Sequence, residues 1–250
     1  MPHTVRIGAV GDLHFGRTAK DVLTPILKAV QDTHADVLLL LGDLTDYGTA
    51  EEAQSLTREL VSGIKVPILA VLGNHDYQSN AVDVITKILR DGGVTVLDGD
   101  SCEIKGVGFA GAKGFCGGFG RGALGPWGEP VIKQFVHEAV DEALKMESAL
   151  ARLRTAARIV LLHYAPVVDT VIGEPREIFP FLGSSRLEEP LSRLGVTAVF
   201  HGHAHKGAPE GRLTSGAPVY NVSLPLLTRL SPDQPIRLFE VLVDEATRGA

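Results

Sequence analysis

Apolar residues in this chain alternate between short continuous runs and longer stretches with helical spacing. The run from Val37 to Leu41 is uninterrupted, which is typical of a strand covered on both faces. From Asp21 to Thr33 the apolar residues recur every three or four positions, which predicts a helix with Pro25 in its first turn, where proline is tolerated. Short strands alternating with longer helices predict an α/β protein.

The same criteria place the remaining elements. Thr49 and Glu52 have the spacing of a capping box, so we predict a helix from there to about Ser62. Pro130 begins a long helix that reaches roughly Arg154. The other predicted elements are a helix from Ala81 to Arg90 and the strands Val5 to Val10, Val66 to Leu72, Val94 to Leu97, Ser101 to Lys105, Val107 to Ala110, Ile159 to Leu162, Val196 to Phe200, Val219 to Val222 and Ile236 to Val243. Without repeats or linkers, we predict one domain, residues 1–250, of two packed sheets with outer helices.

Composition and charge disfavour several classes of protein. Hydrophobic residues make up 44% of the 250 positions and charged residues 22%, which is ordinary for a soluble globular protein. No apolar run is long enough to span a bilayer and no export signal is recognisable, so we expect a cytoplasmic protein that does not enter membranes. The formal net charge of −6 disfavours binding to long nucleic acid, which needs many Lys and Arg contacts. Cys102 and Cys116 are expected to be free thiols. The sequence does not indicate the oligomeric state.

Five polar fragments carry the candidate chemistry. Each follows an apolar run, so each should lie where a buried strand ends. In chain order the fragments are Asp12-Leu13-His14, Gly42-Asp43-Leu44-Thr45-Asp46, Gly73-Asn74-His75-Asp76, His163, and Gly202-His203-Ala204-His205. Imidazoles, carboxylates and a carboxamide suit a pair of transition metal ions, and such pairs hydrolyse phosphate esters.

The spacing within the fragments indicates how metal ions would be held. Asp43 is the expected bridge, since a carboxylate can offer oxygen to two cations. Asp12 and His14 are two residues apart on an extended segment, so they project to one side and can chelate one ion. His203 and His205 repeat that spacing after another strand.

His163 and the amide oxygen of Asn74 complete the predicted metal ligands. His75 adjoins a predicted ligand but need not be one. It is instead a candidate to protonate the leaving alkoxide or to hold the scissile phosphate. Asp46 is a candidate to accept a hydrogen bond from His75 and raise its basicity. We therefore predict His75 and Asp46 as catalytic residues.

The order and spacing of these motifs resemble the calcineurin-like metallophosphoesterase superfamily, over most of the chain. The resemblance implies a four-layer α/β/β/α sandwich of two mixed β-sheets flanked by helices. It also implies two divalent or trivalent metal ions, drawn from Mn, Fe or Zn. The implied ligands of the first ion are Asp12, His14, Asp43 and His205, and those of the second are Asp43, Asn74, His163 and His203.

Two motifs of this chain differ from those of the protein phosphatases in the superfamily. Its protein phosphatases have Asp-Arg-Gly after the second motif and Glu after Asn-His, whereas this chain has Asp46-Tyr47-Gly48 and Asp76. The chain is more similar to the bacterial-type phosphodiesterase and small-molecule branches. We therefore predict a phosphoesterase that favours small phosphodiesters and attacks them with a metal-bound hydroxide. The alternatives are a small-molecule phosphomonoesterase, a non-catalytic scaffold and a nuclease, although a nuclease would predict a basic groove that the composition does not favour.

The remaining polar residues have less specific interpretations. The glycine-rich stretch from Lys113 to Gly128 is either a flexible loop or a lid over the substrate. Arg17 is a further candidate phosphate contact, Asp76 is predicted to cap the following helix, and His201 is predicted to be structural. The candidate lid contacts are Phe115, Phe119 and Trp127 for an organic group and Lys113 or Arg121 for phosphate. The histidines expected at the surface are His3, His34 and His137.

Overall fold

The computed structural model describes residues 2–16 and 21–244, so Arg17 lies outside the described residues. The chain forms eleven described strands and seven described α-helices. The strands are β1 His3–Val10, β2 Val37–Leu41, β3 Ile68–Val71, β4 Thr95–Val96, β5 Asp100–Ile104, β6 Val107–Gly111, β7 Ala157–Leu161, β8 Ala198–His201, β9 Glu210–Arg212, β10 Pro218–Asn221 and β11 Arg237–Val243. The helices are α1 Leu23–Asp32, α2 Ala50–Gly63, α3 Val82–Asp91, α4 Pro130–Ala151, α5 Phe179–Leu182, α6 Glu188–Leu194 and α7 Leu224–Leu230.

The strands form two mixed sheets. The first has the order β11-β1-β2-β3-β4, and the second has the order β5-β6-β7-β8-β10-β9. Within each sheet the central strands are parallel, and β11, β5 and β9 run antiparallel to their neighbours at the edges. Helices flank the two sheets, so the α/β architecture implied by the resemblance is confirmed.

Side chains that alternate along the central strands of the second sheet belong to two different hydrophobic cores. Phe109, Ile159 and Phe200 belong to the core that also contains the buried residues of the first sheet. Their neighbours Val160 and Val199 belong to a second core, which includes the buried faces of α4 and α6. Because successive side chains of a strand point to opposite faces, each sheet packs against the other sheet on one side and against helices on the other.

The sequence predictions match the longer helices and all strands but β9 to within a few residues, and they miss the short helices. The uninterrupted run of β2 is found with its predicted ends, and α4 begins at the predicted proline but ends at Ala151, earlier than expected. The helices α5, α6 and α7 and the strand β9 were not predicted. Helices of one or two turns offer too few apolar repeats for their period to be recognised. The single-domain assignment stays a prediction.

The topology brings all five polar fragments to one rim of the sandwich. They follow the carboxyl ends of β1, β2, β3, β7 and β8, respectively. One backbone hydrogen bond joins the two sheets there, because the Gly11 N–H after β1 donates to the Val222 carbonyl after β10 at 2.9 Å; within the second sheet, the Gly202 N–H donates to the His163 carbonyl at 3.2 Å. Within residues 2–16 and 21–244, none of the helices combines the length and the apolar character that a membrane span requires.

The predicted capping box is present at the start of α2 and is open to a direct test. The Thr49 hydroxyl accepts the Glu52 N–H at 3.2 Å, and the Glu52 carboxylate accepts the Thr49 N–H at 3.1 Å. We expect Thr49→Ala to lower the free energy of unfolding by about 0.5–2 kcal/mol, measured by urea denaturation. The control is Ser62→Ala in the exposed last turn of the same helix. Equal stability of the native protein and Thr49→Ala would contradict the role of the cap.

Candidate metal centre

Side chains from the five fragments converge into compact groups. Within each group, one donor atom per residue lies within 4.8 Å of the donor atoms of the others, so each group is small enough to hold a metal ion. The three groups are Asp12 with His14 and His205, Asp43 with His163 and His203, and His14 with Asp43 and His75. Asn74 and Asp46 adjoin these groups, because the Asn74 Oδ1 lies 3.0 Å from the His163 Nε2 and the Asp46 Oδ1 lies 3.3 Å from the His14 Nδ1. All seven predicted ligands and both predicted catalytic residues therefore lie at the same rim. Their individual roles stay predictions.

Asp12 anchors the first group as a buried carboxylate. Its Oδ1 lies 3.1 Å from the His205 Nε2, and its Oδ1 and Oδ2 accept the His203 N–H at 3.0 and 2.9 Å. Burial would raise the pKa of Asp12, but the hydrogen bond from His205 and the nearby imidazoles outweigh burial and lower the pKa to about 2. At neutral pH this group therefore contains a buried anion that is available to a cation.

Asp43 belongs to the second group and also faces His14 of the first. Its Oδ1 is 3.4 Å from the His163 Nε2, its Oδ2 is 3.9 Å from the His14 Nε2, and its Oδ1 also accepts the His75 N–H at 2.8 Å. Burial, together with the negative charges of Asp12 and Asp76, raises the pKa of Asp43 well above its ordinary value. Its charge is thus unfavourable in the protein alone, and a neighbouring cation would offset that cost.

A cation would also stabilise the surroundings of His163. His163 is fully buried, and its Nδ1 lies 2.9 Å from the Leu41 carbonyl, which fixes the proton on Nδ1 in the neutral ring. The Nε2 is then an acceptor, yet it faces the Asn74 Oδ1 at 3.0 Å and the Asp43 Oδ1. Three acceptor atoms turned towards one another are stabilised by a positive ion between them.

The ring of His14 is likewise buried without hydrogen bonds that would satisfy its nitrogens. Its Nδ1 lies 3.3 Å from the Asp46 Oδ1, but neither of its buried ring nitrogens makes a well-formed hydrogen bond to the described residues, which costs free energy unless a ligand satisfies them. Burial lowers the pKa of His14, so the ring is in the neutral form that binds metals. Burial likewise lowers the pKa of His203 to about 3. The donor set of neutral imidazoles, carboxylates and an amide oxygen fits transition metal ions.

The backbone is strained where the ligands are placed. The left-handed φ angles of four of the predicted ligands are 58° at Asp12, 43° at His14, 48° at Asp43 and 69° at His203. Each such residue costs roughly 1–2 kcal/mol. Gly73 shows how tightly the loops pack, because a Cβ there would lie 2.2 Å from the Asp43 Oδ1. Strain gathered at one site is typical of a functional centre.

His75 lies beside the first group with part of its ring exposed. Its Nδ1 is 2.7 Å from the backbone carbonyl of Asp46 and 3.7 Å from the carboxylate Oδ1 of that residue. The predicted partner residue is therefore adjacent, but the hydrogen bond is made by its main chain. The His75 ring meets the His14 ring edge to face, with centroids 4.5 Å apart. This arrangement directs Nδ1 towards Asp46, and the role of His75 as proton donor stays a prediction.

Asp76 does not cap the helix that follows it, so that prediction was wrong. The helix α3 has no side-chain cap, and Asp76 is fully buried. Its carboxylate instead accepts the N–H groups of Gly73, Leu44 and Thr45 at 2.8, 3.2 and 2.9 Å, and the Thr45 hydroxyl at 2.7 Å. Asp76 thus ties the loop after β2 to the loop after β3, and it holds Asp43 against Asn74.

The glycine-rich stretch is anchored at several points. Backbone bonds join Gly117 to the Pro180 carbonyl at 2.7 Å and Gly118 to the Gly183 carbonyl at 2.9 Å. Lys113 is buried, and its amine donates to the Gly114 carbonyl at 2.8 Å. Of the aromatic candidates, Phe115 packs against Phe135, Phe119 is partly buried, and Trp127 is 78% exposed. The stretch is thus not a free loop, and its role as a lid stays a prediction.

The structure also places His201, the two cysteines and the predicted surface histidines. His201 is buried, and its Nε2 and Nδ1 lie 2.7 Å from the Thr170 hydroxyl and the Gly202 carbonyl, respectively, as expected of a structural residue. Cys102 and Cys116 are free thiols, as predicted. Two of the predicted surface histidines are exposed, and His3 is partly buried.

Comparisons with known proteins find a family and a relative that match most of this chain. A model of the family described as calcineurin-like phosphoesterase matches residues 5–207. Over 204 residues the chain is 24% identical to a probable cyclic nucleotide phosphodiesterase of Vesicomyosocius okutanii subsp. Calyptogena okutanii (strain HA), a match that covers 76% of this chain and 71% of that protein.

Two solved structures share the fold. Phosphopantetheinyl hydrolase (PptH) from Mycobacterium tuberculosis superposes with a TM-score of 0.68 at 17% identity, over 93% of this chain and 95% of that one. The protein TT1561 of Thermus thermophilus gives a TM-score of 0.59 at 17% identity, over 97% of this chain and 100% of that one. At such identities the two likenesses show the fold alone.

The role of Asp76 predicts a large loss of stability on truncation. Asp76→Ala leaves three buried N–H groups and one hydroxyl without their acceptor, and each unmade bond costs about 1–3 kcal/mol. We therefore expect the free energy of unfolding to fall by about 3 kcal/mol or more in urea denaturation. The matched control is Asp141→Ala, at an exposed position of α4. A loss no larger than that of the control would show that Asp76 does not hold the two loops.

Proposed function

The chain belongs to the calcineurin-like phosphoesterase family, and we propose that it hydrolyses small phosphodiesters with two transition metal ions. The observation that carries the proposal is the position of Asp43. Its carboxylate reaches donor atoms of both groups, and burial and neighbouring carboxylates raise its pKa. A bridging ligand between two cations meets both conditions.

The proposed ligands extend the first two groups, with Asp43 shared by both ions and Asn74 added to the second. One ion would be held by Asp12, His14, Asp43 and His205, and the other by Asp43, Asn74, His163 and His203. When bound, such ions supply positive charge to the phosphoryl oxygens and make a bound water more acidic. The chain itself supplies buried carboxylates, neutral imidazoles and strained loops that fix these donors before any ion arrives. Nitrogen and oxygen donors of this kind bind Mn, Fe and Zn.

His75 is the proposed proton donor to the leaving alcohol. The Asp46 carbonyl lies 2.7 Å from Nδ1, so Nδ1 keeps its proton and the ring is held in one orientation. When the ring is protonated, Nε2 can pass a proton to the departing oxygen. The side chain is 33% exposed, so a substrate can reach it from solvent.

The preference for small diesters rests on three supports. The relative with 24% identity carries the name of a cyclic nucleotide phosphodiesterase. The chain lacks the arginine that follows the second motif in protein phosphatases, because Tyr47 stands there. Its net charge of −6 disfavours long nucleic acid. A phosphomonoesterase is the second candidate, and a non-catalytic scaffold is disfavoured by the complete set of proposed ligands.

Two model substrates separate these candidates. With added manganese, we expect the protein to hydrolyse bis(p-nitrophenyl) phosphate faster than p-nitrophenyl phosphate, measured as p-nitrophenolate release. Asp43→Asn should reduce turnover by roughly a hundredfold or more, because even partners one step removed from a metal cost 10–100-fold. Asp141→Asn, at the surface of α4, is the control. No turnover of either ester with two ions bound would contradict the enzyme proposal, and a much better monoester would contradict only the diester preference.

His75→Ala tests the division between proton donor and metal ligands. We expect this variant to retain both ions, measured by elemental analysis, while kcat falls about 10²–10⁴-fold, as is usual for loss of a general acid. The retained metal content distinguishes a proton donor from a ligand. Loss of both ions would mean that His75 belongs to the ligand set.

A further inference from the structure

A cavity lies beside the metal centre, between α3 and the strands β4 and β5. Its volume is about 360 Å³, within the range of small-molecule sites. Part of its wall is apolar, formed by Leu72, Val96, Leu97 and the ring of Tyr77. None of the seven proposed metal ligands lines it. We call this space the Lys113 cavity.

Lys113 is the one buried charge among the charged residues that line the cavity. The exposed ones are Asp83, Arg90, Asp98 and Asp100. Most of these are already paired: Arg90 lies 3.6 Å from the Asp100 carboxylate, and Asp98 accepts from Lys145 at 3.2 Å. Lys113 is 8% exposed and has no carboxylate partner of this kind in the part of the chain that the structure describes.

The amine of Lys113 is enclosed by aromatic rings and is short of acceptors. It lies 5.5, 4.8 and 5.4 Å from the ring centroids of Tyr77, Phe115 and Tyr164. Its one hydrogen bond among the described residues goes to the Gly114 carbonyl. A lysine ammonium has three donors, so two N–H groups lack an acceptor from residues 2–16 and 21–244.

The nearby carboxylate of Glu142 does not fill that need. Its Oε2 accepts the Gly114 N–H at 2.8 Å and its Oε1 accepts the Lys145 amine at 2.7 Å. Neither oxygen accepts a hydrogen bond from the Lys113 amine. The remaining N–H groups of Lys113 are therefore open to solvent or to an acceptor bound in the cavity.

We propose that the Lys113 cavity binds a small organic anion, distinct from the phosphate group at the metals. Its carboxylate or phosphate oxygens accept hydrogen bonds from Lys113, and its apolar body packs against Tyr77 and Leu97. A charge-assisted bond to a buried amine combined with an apolar wall is the usual composition of such a site.

The cavity shares a wall with the metal centre. Tyr77 lies two residues after His75, Leu72 lies two before Asn74, and the Lys113 carbonyl accepts the His163 N–H at 3.0 Å. The anion is therefore either the far end of a substrate or a separate molecule. The recognition chemistry is the same in both cases, and only the first case rests on the proposed function.

A heavy-atom probe locates the site. Crystals of the metal-loaded protein are soaked in 4-bromobenzoate, and anomalous diffraction is collected at the bromine edge. We expect a bromine peak in the Lys113 cavity with the carboxylate against the Lys113 amine. Bromine found at the metal centre or on the surface, with none in the cavity, would mean an adventitious additive only and would overturn the proposal.

Calorimetry measures the contribution of the amine in solution. Lys113→Met keeps the length of the side chain, and we expect it to weaken 4-bromobenzoate binding roughly tenfold to a hundredfold, as for loss of a bond to a charged group. Lys133→Met, exposed on α4, is the control and should bind like the native protein. Thr86→Trp, which fills the cavity and keeps the amine, should also abolish binding. Unchanged affinity in a folded Lys113→Met or Thr86→Trp would overturn the proposal.

Kinetics with bis(p-nitrophenyl) phosphate then separate the two sources of the anion. A rise in KM alone with 4-bromobenzoate assigns the cavity to the far end of the substrate, whereas an effect on kcat, or no effect on either constant, assigns it to a separate molecule. Binding is measured without turnover. Failure of the cavity proposal is therefore distinguishable from failure of the phosphoesterase proposal.

Discussion

The structure depends on the close approach of electron-rich atoms at the ends of five strands. The His163 Nε2, an acceptor in the tautomer that its Leu41 contact favours, lies 3.0 Å from the Asn74 Oδ1 and 3.4 Å from the Asp43 Oδ1, in a largely buried position. Protein interiors penalise such arrangements strongly. The fold nevertheless holds them in place, which is intelligible if positive ions belong there.

Several features of the rim act together to maintain this unfavourable geometry. The left-handed conformations of Asp12, His14, Asp43 and His203 together cost on the order of 4–8 kcal/mol, a sum comparable to the net stability of many domains. The hydrogen bonds of Asp76 hold two of the loops together against that cost. Ions bound at the proposed site would bind only the folded state, so metal loading would stabilise the whole chain.

Features that are encoded within a few neighbouring residues could be predicted from the sequence. The run of β2 and the capping box of α2 are encoded within a few residues, and the strand-end position of each fragment follows from the apolar run before it. The convergence of Asp43 with Asn74 could be expected because β2 and β3 are parallel neighbours whose carboxyl ends share an edge, whereas the approach of His163 to Asp43 depends on the packing of one sheet against the other. The short helices α6 and α7 were missed because two turns hardly reveal a period.

What the sequence could not provide depends on tertiary packing. An aspartate ahead of a helix looks like a cap, and nothing local indicates that Asp76 is buried among the amides of another loop. Lys113 looks like a phosphate contact, yet aromatic rings from three separate segments enclose it. The most direct measurement of the central claim is anomalous diffraction from manganese-loaded crystals. We expect two manganese peaks about 3.5–4 Å apart, one on each side of the Asp43 carboxylate; a single peak, or two ions with no shared carboxylate, would contradict the account.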